Sequence, residues 1–137
     1  MAILGIDHVA IAVRSIEDSQ ESFTSLLQMD ADHEVVEQQG VKLAVFELGD
    51  SRLELLEPLS DDNSIARFLD NRGEGVHHVA LRTDSVQQEL DRISSGDDLT
   101  CLDSEPRSGA QGYRIAFLHP DDLSGTLIEL AQPAGFN

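Results

Sequence analysis

Gly75–Thr83, GVHHVALRT, has an echo at Ile6–Val13, IDHVAIAV, and the pair decides how the rest of the chain is read. With His78 laid on His8, the two stretches run HVALRT and HVAIAV. A self-similarity at fixed spacing points to a repeated structural unit. In an extended strand, residues two apart share a face. His8, Ala10 and Ala12 then lie on one face, with Val9, Ile11 and Val13 on the other. His78 and Ala80 share a face in the second copy, with Val79 and Leu81 opposite. Each copy thus has one bulky apolar face for packing and one face with a single imidazole above small residues.

Outward from these strands the same order of elements recurs. After the first strand, Ser15 with Asp18 forms a carboxylate variant of the capping box. The spacing predicts a helix to about Met29 that buries Ile16, Phe23, Leu26 and Leu27. Three strands follow, near His33–Gln38, Val41–Leu48 and Arg52–Glu57, punctuated at Gly40 and Gly49-Asp50. Asp61–Asn63 can cap a short helix carrying Ile65, Phe68 and Leu69. After Val76–Thr83, Ser85 with Gln88 opens a helix on Val86, Leu90 and Ile93. Thr100–Asp103 then reads as a short strand, Glu105–Gly112 as a loop, and Tyr113–His119 and Thr126–Ala131 as strands. The expectation is one domain over 1–137. It comprises two strand–helix–strand–strand–strand modules, about 5–58 and 75–132, joined by a helical linker at 59–74.

Composition narrows the function. Hydrophobic residues make up 40% of the 137 positions, enough for a core. No apolar run is long enough to span a membrane, and the start does not read as a signal peptide. Cys101 is the single cysteine, so no intrachain disulfide is expected, and a reducing cytoplasm is the natural setting. The net charge is -17, from 26 acidic and 9 basic residues. Nucleic acid is a poor partner for such a surface.

Lys42 is the only lysine. An acidic, lysine-poor surface fits a salt-adapted protein, because strong salt shortens the reach of carboxylate repulsion. Thermal stability is therefore expected to rise as sodium or potassium chloride approaches molar concentration. A midpoint that stays flat from dilute buffer to several molar salt contradicts this.

Each module offers one histidine from its first strand and one glutamate from its last: His8 with Glu54, and His78 with Glu129. Two imidazoles and two carboxylates suit a borderline divalent cation such as cobalt, nickel, manganese or zinc. The alternative for each is a structural histidine or a solvated strand glutamate. The repetition at equivalent places brings the metal reading level with the structural one. His77 falls on the opposite strand face and reads as structural.

Taken together, IDHVAIAV, LELLEP, GEGVHHVAL, EPRSGAQG and FLHPDDLSGTLIEL resemble the methylmalonyl-CoA epimerases of the vicinal oxygen chelate superfamily. The resemblance spans roughly Gly5–Gln132. GEGVHH and FLHP…LIEL are the stretches most specific to the epimerase branch. It implies an α+β fold of paired βαβββ modules forming an open, cupped mixed sheet around a metal site. It also implies His8, Glu54, His78 and Glu129 as ligands; the family varies between Gln and Glu at the position of Glu54.

The expected activity is epimerisation of an acyl-CoA at C2, by removal and return of a proton through a metal-stabilised enolate. By the resemblance, Glu129 serves as both ligand and acid-base group. Some members carry a second glutamate where this chain has Leu43, which moves no proton; Glu47 shares the face of Leu43 but lies four residues along. Arg107 and Arg114 flank the glycine-containing loop, as substrate cations or as plain surface arginines. Cobalt is the first metal expected, and a homodimer the expected assembly. The alternatives are a lactoylglutathione lyase and a metal-free small-molecule-binding member of the superfamily. Iron-dependent ring cleavage fits less well, since that branch usually keeps two histidines and one carboxylate.

Overall fold

The computed structural model describes residues 2–136. Those residues form an α+β fold of eight strands and three helices, arranged as two βαβββ runs with one helix between them. They divide into two compact units, one of residues His8–His77 and one of residues up to Asp7 together with those from His78 onward. No described helix is long and apolar enough to cross a membrane.

The unit His8–His77 takes the second half of β1 (Ile3–Ala12), α1 (Ile16–Leu27), β2 (Asp32–Val36), β3 (Val41–Leu48), β4 (Ser51–Pro58) and α2 (Ser64–Arg72). Its strand order is β2-β3-β4-β1. The β2/β3 and β3/β4 pairs are antiparallel hairpins, whereas β1 and β4 run parallel. Alternate residues of the strands turn to opposite faces. Ala44, Phe46 and Leu55 pack with Val13 and Ile16 into a core beneath α1.

Ser15 caps α1 as expected, its hydroxyl accepting from the Asp18 amide at 3.2 Å. The helix stops two residues short of Met29, at a left-handed Gln28. Leu26, expected to be buried, is 75% exposed. Ile16, Phe23 and Leu27 share a stripe, and Leu26 sits about 80° round the helix from it. Asn63 caps α2 and also donates to the Gly40 carbonyl at 2.7 Å. A Cβ at Gly40 would lie 2.9 Å from that amide nitrogen, and its φ of +68° is one that side chains disfavour.

The other unit takes the end of β5 (Gly75–Thr83), then α3 (Val86–Ser94), β6 (Arg107–Ser108), β7 (Arg114–Leu118) and β8 (Ile128–Gln132). Its strand order is β5-β8-β7-β6, with β5 and β8 parallel and the remaining pairs antiparallel. Val86, Leu90 and Ile93 pack on Ala116, Leu118 and Leu130.

The sequence placed a strand at Thr100–Asp103 and a loop over Glu105–Gly112; both readings need correction. Cys101 makes only an isolated bridge to Leu118, and the short strand β6 lies inside the expected loop. Side chains displace the ladder here. Asp122 and Asp103 carboxylates accept from the amides of Thr100 and Phe117, each at 2.8 Å. Burial, and after it the nearby Asp103 charge, push the Cys101 thiol above its ordinary pKa.

One device recurs in both runs. Glu57, three residues after Glu54, accepts from the first amide of α1, Ile16, at 2.8 Å. Gln132, three residues after Glu129, accepts from the first amide of α3, Val86, at 3.0 Å. The first helical amides have no partner within the helix. Using them to grip the end of the last strand locks that strand beside the first.

Candidate functional site

The parallel pairings set the site's geometry. In the unit His8–His77, Ala10 is the register partner of Glu54. In the other, Ala80 is the partner of Glu129. Each histidine lies two residues before the alanine, so each shares a strand face with its glutamate. The offset is the same in both halves. Nε2 of His8 stands 3.7 Å from Oε1 of Glu54, and Nε2 of His78 stands 3.4 Å from Oε1 of Glu129. All four are buried, with exposures of 5–6%.

These separations exceed the roughly 2.7–2.9 Å of a direct charge-assisted hydrogen bond. Two buried imidazole nitrogens, each beside a buried carboxylate held slightly apart, are the donor types a borderline divalent cation takes. The residues present therefore fit such an ion. Carboxylates are rarely buried unless paired or coordinating, and each of these two stands beside an imidazole.

Each pair has a distinct surround. Arg52 is the register partner of His8. Its guanidinium donates to His8 Nδ1 at 3.4 Å and lies 3.4 Å from Oε2 of Glu54. Only 10% of its side chain is exposed, so it places a positive charge against both donors. The sequence reading missed it, although Arg52 precedes Glu54 by two residues and period-two reasoning puts both on one face. In the other unit, Phe117 is the register partner of Glu129 and meets His78 edge-on, with ring centroids 5.4 Å apart at 89°. On the same face the buried Asp7 carboxylate accepts from Arg82 Nε at 3.2 Å and from the Tyr113 hydroxyl at 3.0 Å.

His77 turns away from His78 and packs against Phe68, with centroids 5.0 Å apart and planes at 70°. Leu43 is 3% exposed and pairs in register with Leu56, on the face of Glu54. An apolar side chain therefore stands beside Glu54 on that face. Glu47 is exposed and lies opposite Arg52.

With this geometry in hand, comparison with known proteins places the chain. Residues 7–117 match the glyoxalase/bleomycin resistance protein/dioxygenase superfamily. A Bacillus subtilis protein, uncharacterised YqjC, is 38% identical over 95% of this chain and 93% of its own. The ethylmalonyl-CoA/methylmalonyl-CoA epimerase of Cereibacter sphaeroides is 33% identical over 93% of this chain and 96% of its own. Among solved structures, a variant of the Streptomyces coelicolor methylmalonyl-CoA epimerase in complex with 2-nitronate-propionyl-CoA is 36% identical. It has a TM-score of 0.90 over 99% of each chain.

The chain belongs to the glyoxalase/bleomycin resistance protein/dioxygenase superfamily, in its methylmalonyl-CoA epimerase group. It is an enzyme of the epimerase and racemase class.

Proposed function

We propose that His8, Glu54, His78 and Glu129 hold one divalent cation, and that the protein epimerises methylmalonyl-CoA at C2. The supporting observation is the identical His–Glu pairing in the two runs, buried and offset by the same two residues. The near-full-length likeness to methylmalonyl-CoA epimerases supports methylmalonyl-CoA as the substrate.

The C2 proton lies between a thioester and a carboxylate, and its removal develops enolate charge. When bound, a divalent cation supplies Lewis-acid stabilisation of that charge. The chain supplies the rest. Glu129 takes the C2 proton on one face of the substrate as general base. His78, against Phe117, keeps Glu129 at a fixed place in a dry surround. Arg52, 3.4 Å from Oε2 of Glu54, orients that carboxylate. Leu43 is buried and cannot return the proton to the second face. That face is served by a group outside the four donors.

Cobalt is the first metal to test, with nickel, manganese and zinc next, since the donor set suits any of them. A salt-adapted cytoplasmic setting accords with the single cysteine and the net charge of -17. A homodimer is supported by Ile3, Leu4 and Ile6 of β1, which are 42%, 50% and 50% exposed.

The reaction is tested by incubating metal-loaded protein with methylmalonyl-CoA in deuterated water. Deuterium is expected at C2, dependent on metal and lost on chelation. No exchange, alongside isomerisation of the methylglyoxal–glutathione adduct, would move the activity to a lactoylglutathione lyase. Exchange undiminished after complete metal removal would refute the metal role.

A further inference from the structure

An acyl-CoA presents carboxylate and phosphate oxygens to a protein of net charge -17, so local cations must meet them. The unit from His78 onward carries Arg82, Arg92, Arg107 and Arg114. Arg82 is engaged with buried Asp7. Arg92 lies on α3 and pairs with Glu89 at 2.7 Å. The remaining two flank the loop between β6 and β7, and the strand register separates them. Arg107 pairs with Ile115, and Ile115 shares a face with Phe117, the register partner of Glu129. Arg114 falls on the alternate face, with Ala116 and Leu118, which pack against α3.

We propose that Arg107, and not Arg114, is a substrate-binding residue that receives an anionic oxygen group of the acyl-CoA. This rests on the acyl-CoA reading above. The guanidinium carbon lies over the Phe117 ring, 5.2 Å from its centroid, and that ring meets His78 edge-on. The cation is thus held one aromatic ring away from a proposed metal ligand. An ion pair also orients it. Arg107 Nε is 3.4 Å from Oδ1 of Asp103, whose other oxygen accepts from the Phe117 amide. The ion pair uses the nitrogen nearest the stem. With 52% of the side chain exposed, the planar fork of terminal N–H groups keeps its capacity for a bidentate anion. Sequence spacing could not choose between the two arginines. The pairing of β6 with β7 does.

The test measures steady-state kinetics of Arg107→Gln, Arg107→Lys and Arg114→Gln at fixed salt. Calorimetric affinities for methylmalonyl-CoA are taken in parallel and need no turnover. Arg107→Gln is expected to raise KM and weaken binding about 10- to 100-fold, the worth of a charged hydrogen bond. Its kcat should be nearly unchanged. Arg107→Lys should recover part of the loss, and Arg114→Gln should match the native protein.

The methylmalonyl thioester of N-acetylcysteamine keeps the carboxylate and lacks the phosphates. An Arg107→Gln penalty that persists on it assigns the carboxylate, and one that vanishes assigns a phosphate. Native turnover with equal KM and affinity in Arg107→Gln and Arg114→Gln overturns this inference alone. Native binding without turnover overturns the epimerase reading and leaves the Arg107 comparison standing. Absence of binding by the native protein overturns both.

Discussion

Glu129→Gln is expected to retain metal at least in part, while turnover of methylmalonyl-CoA falls roughly 10²–10⁴-fold, the usual worth of a positioned acid-base group. Glu129 lies in β8 at 5% exposure, with Oε1 3.4 Å from His78 Nε2. Glutamine keeps the length of the side chain and one carbonyl oxygen able to coordinate. Its amide cannot take the substrate proton as a carboxylate does. Truncation to alanine would remove ligand and base together and so could not separate the two roles. The measurement is C2 deuterium incorporation per metal-loaded protein, with metal content determined on the same samples. Full exchange by a metal-replete Glu129→Gln protein would assign the proton to another group.

His78→Ala is expected to weaken metal binding by more than about 100-fold, beyond the range seen for residues that only support a ligand. His77→Ala should bind metal as the native protein does. The two side chains are neighbours in sequence but point to opposite faces of β5. One lies beside Glu129 and the other against the Phe68 ring. The His77 change should cost the aromatic contact with Phe68, about 0.5–1.5 kcal/mol of stability. Competition with a chromophoric chelator gives the affinities, and thermal melting gives the stability. The reverse pattern would mean that β5 is out of register by one residue, which exchanges every side chain between faces.

What could be read from the sequence was whatever local chemistry controls. The two-residue alternation in IDHVAIAV and GVHHVALRT set the faces of β1 and β5. Ser15 and Ser85 announced their helices because an N-cap hydroxyl meets an amide only three residues away. Asn63 did the same for α2. Where side chains compete with the backbone, local reading failed. Asp103 and Asp122 take amides that a regular strand would share with its neighbour, so the expected strand at Thr100–Asp103 shrank to a bridge.

The candidate site divides along the same line. His8, Glu54, His78 and Glu129 were identified from repetition and family likeness, and the parallel registers set each pair on one face. Arg52 and Phe117 went unnoticed. Period two puts Arg52 on the face of Glu54, but its approach to His8, like that of Phe117 to Glu129, depends on cross-strand register, which leaves no local trace. Leu26 shows the opposite error. An apolar residue near a helical stripe need not belong to it, and one step along the helix turns it into water.

The parallel pairing of first and last strands also orders events during synthesis. His8 leaves the ribosome long before Glu54, and the two cannot meet until the chain has passed beyond Pro58. His78 and Glu129 must wait until Gln132 has emerged. Non-local pairings of this kind form late because the intervening chain has to be ordered first. A nascent chain thus carries at most one imidazole–carboxylate pair until its final strand is made.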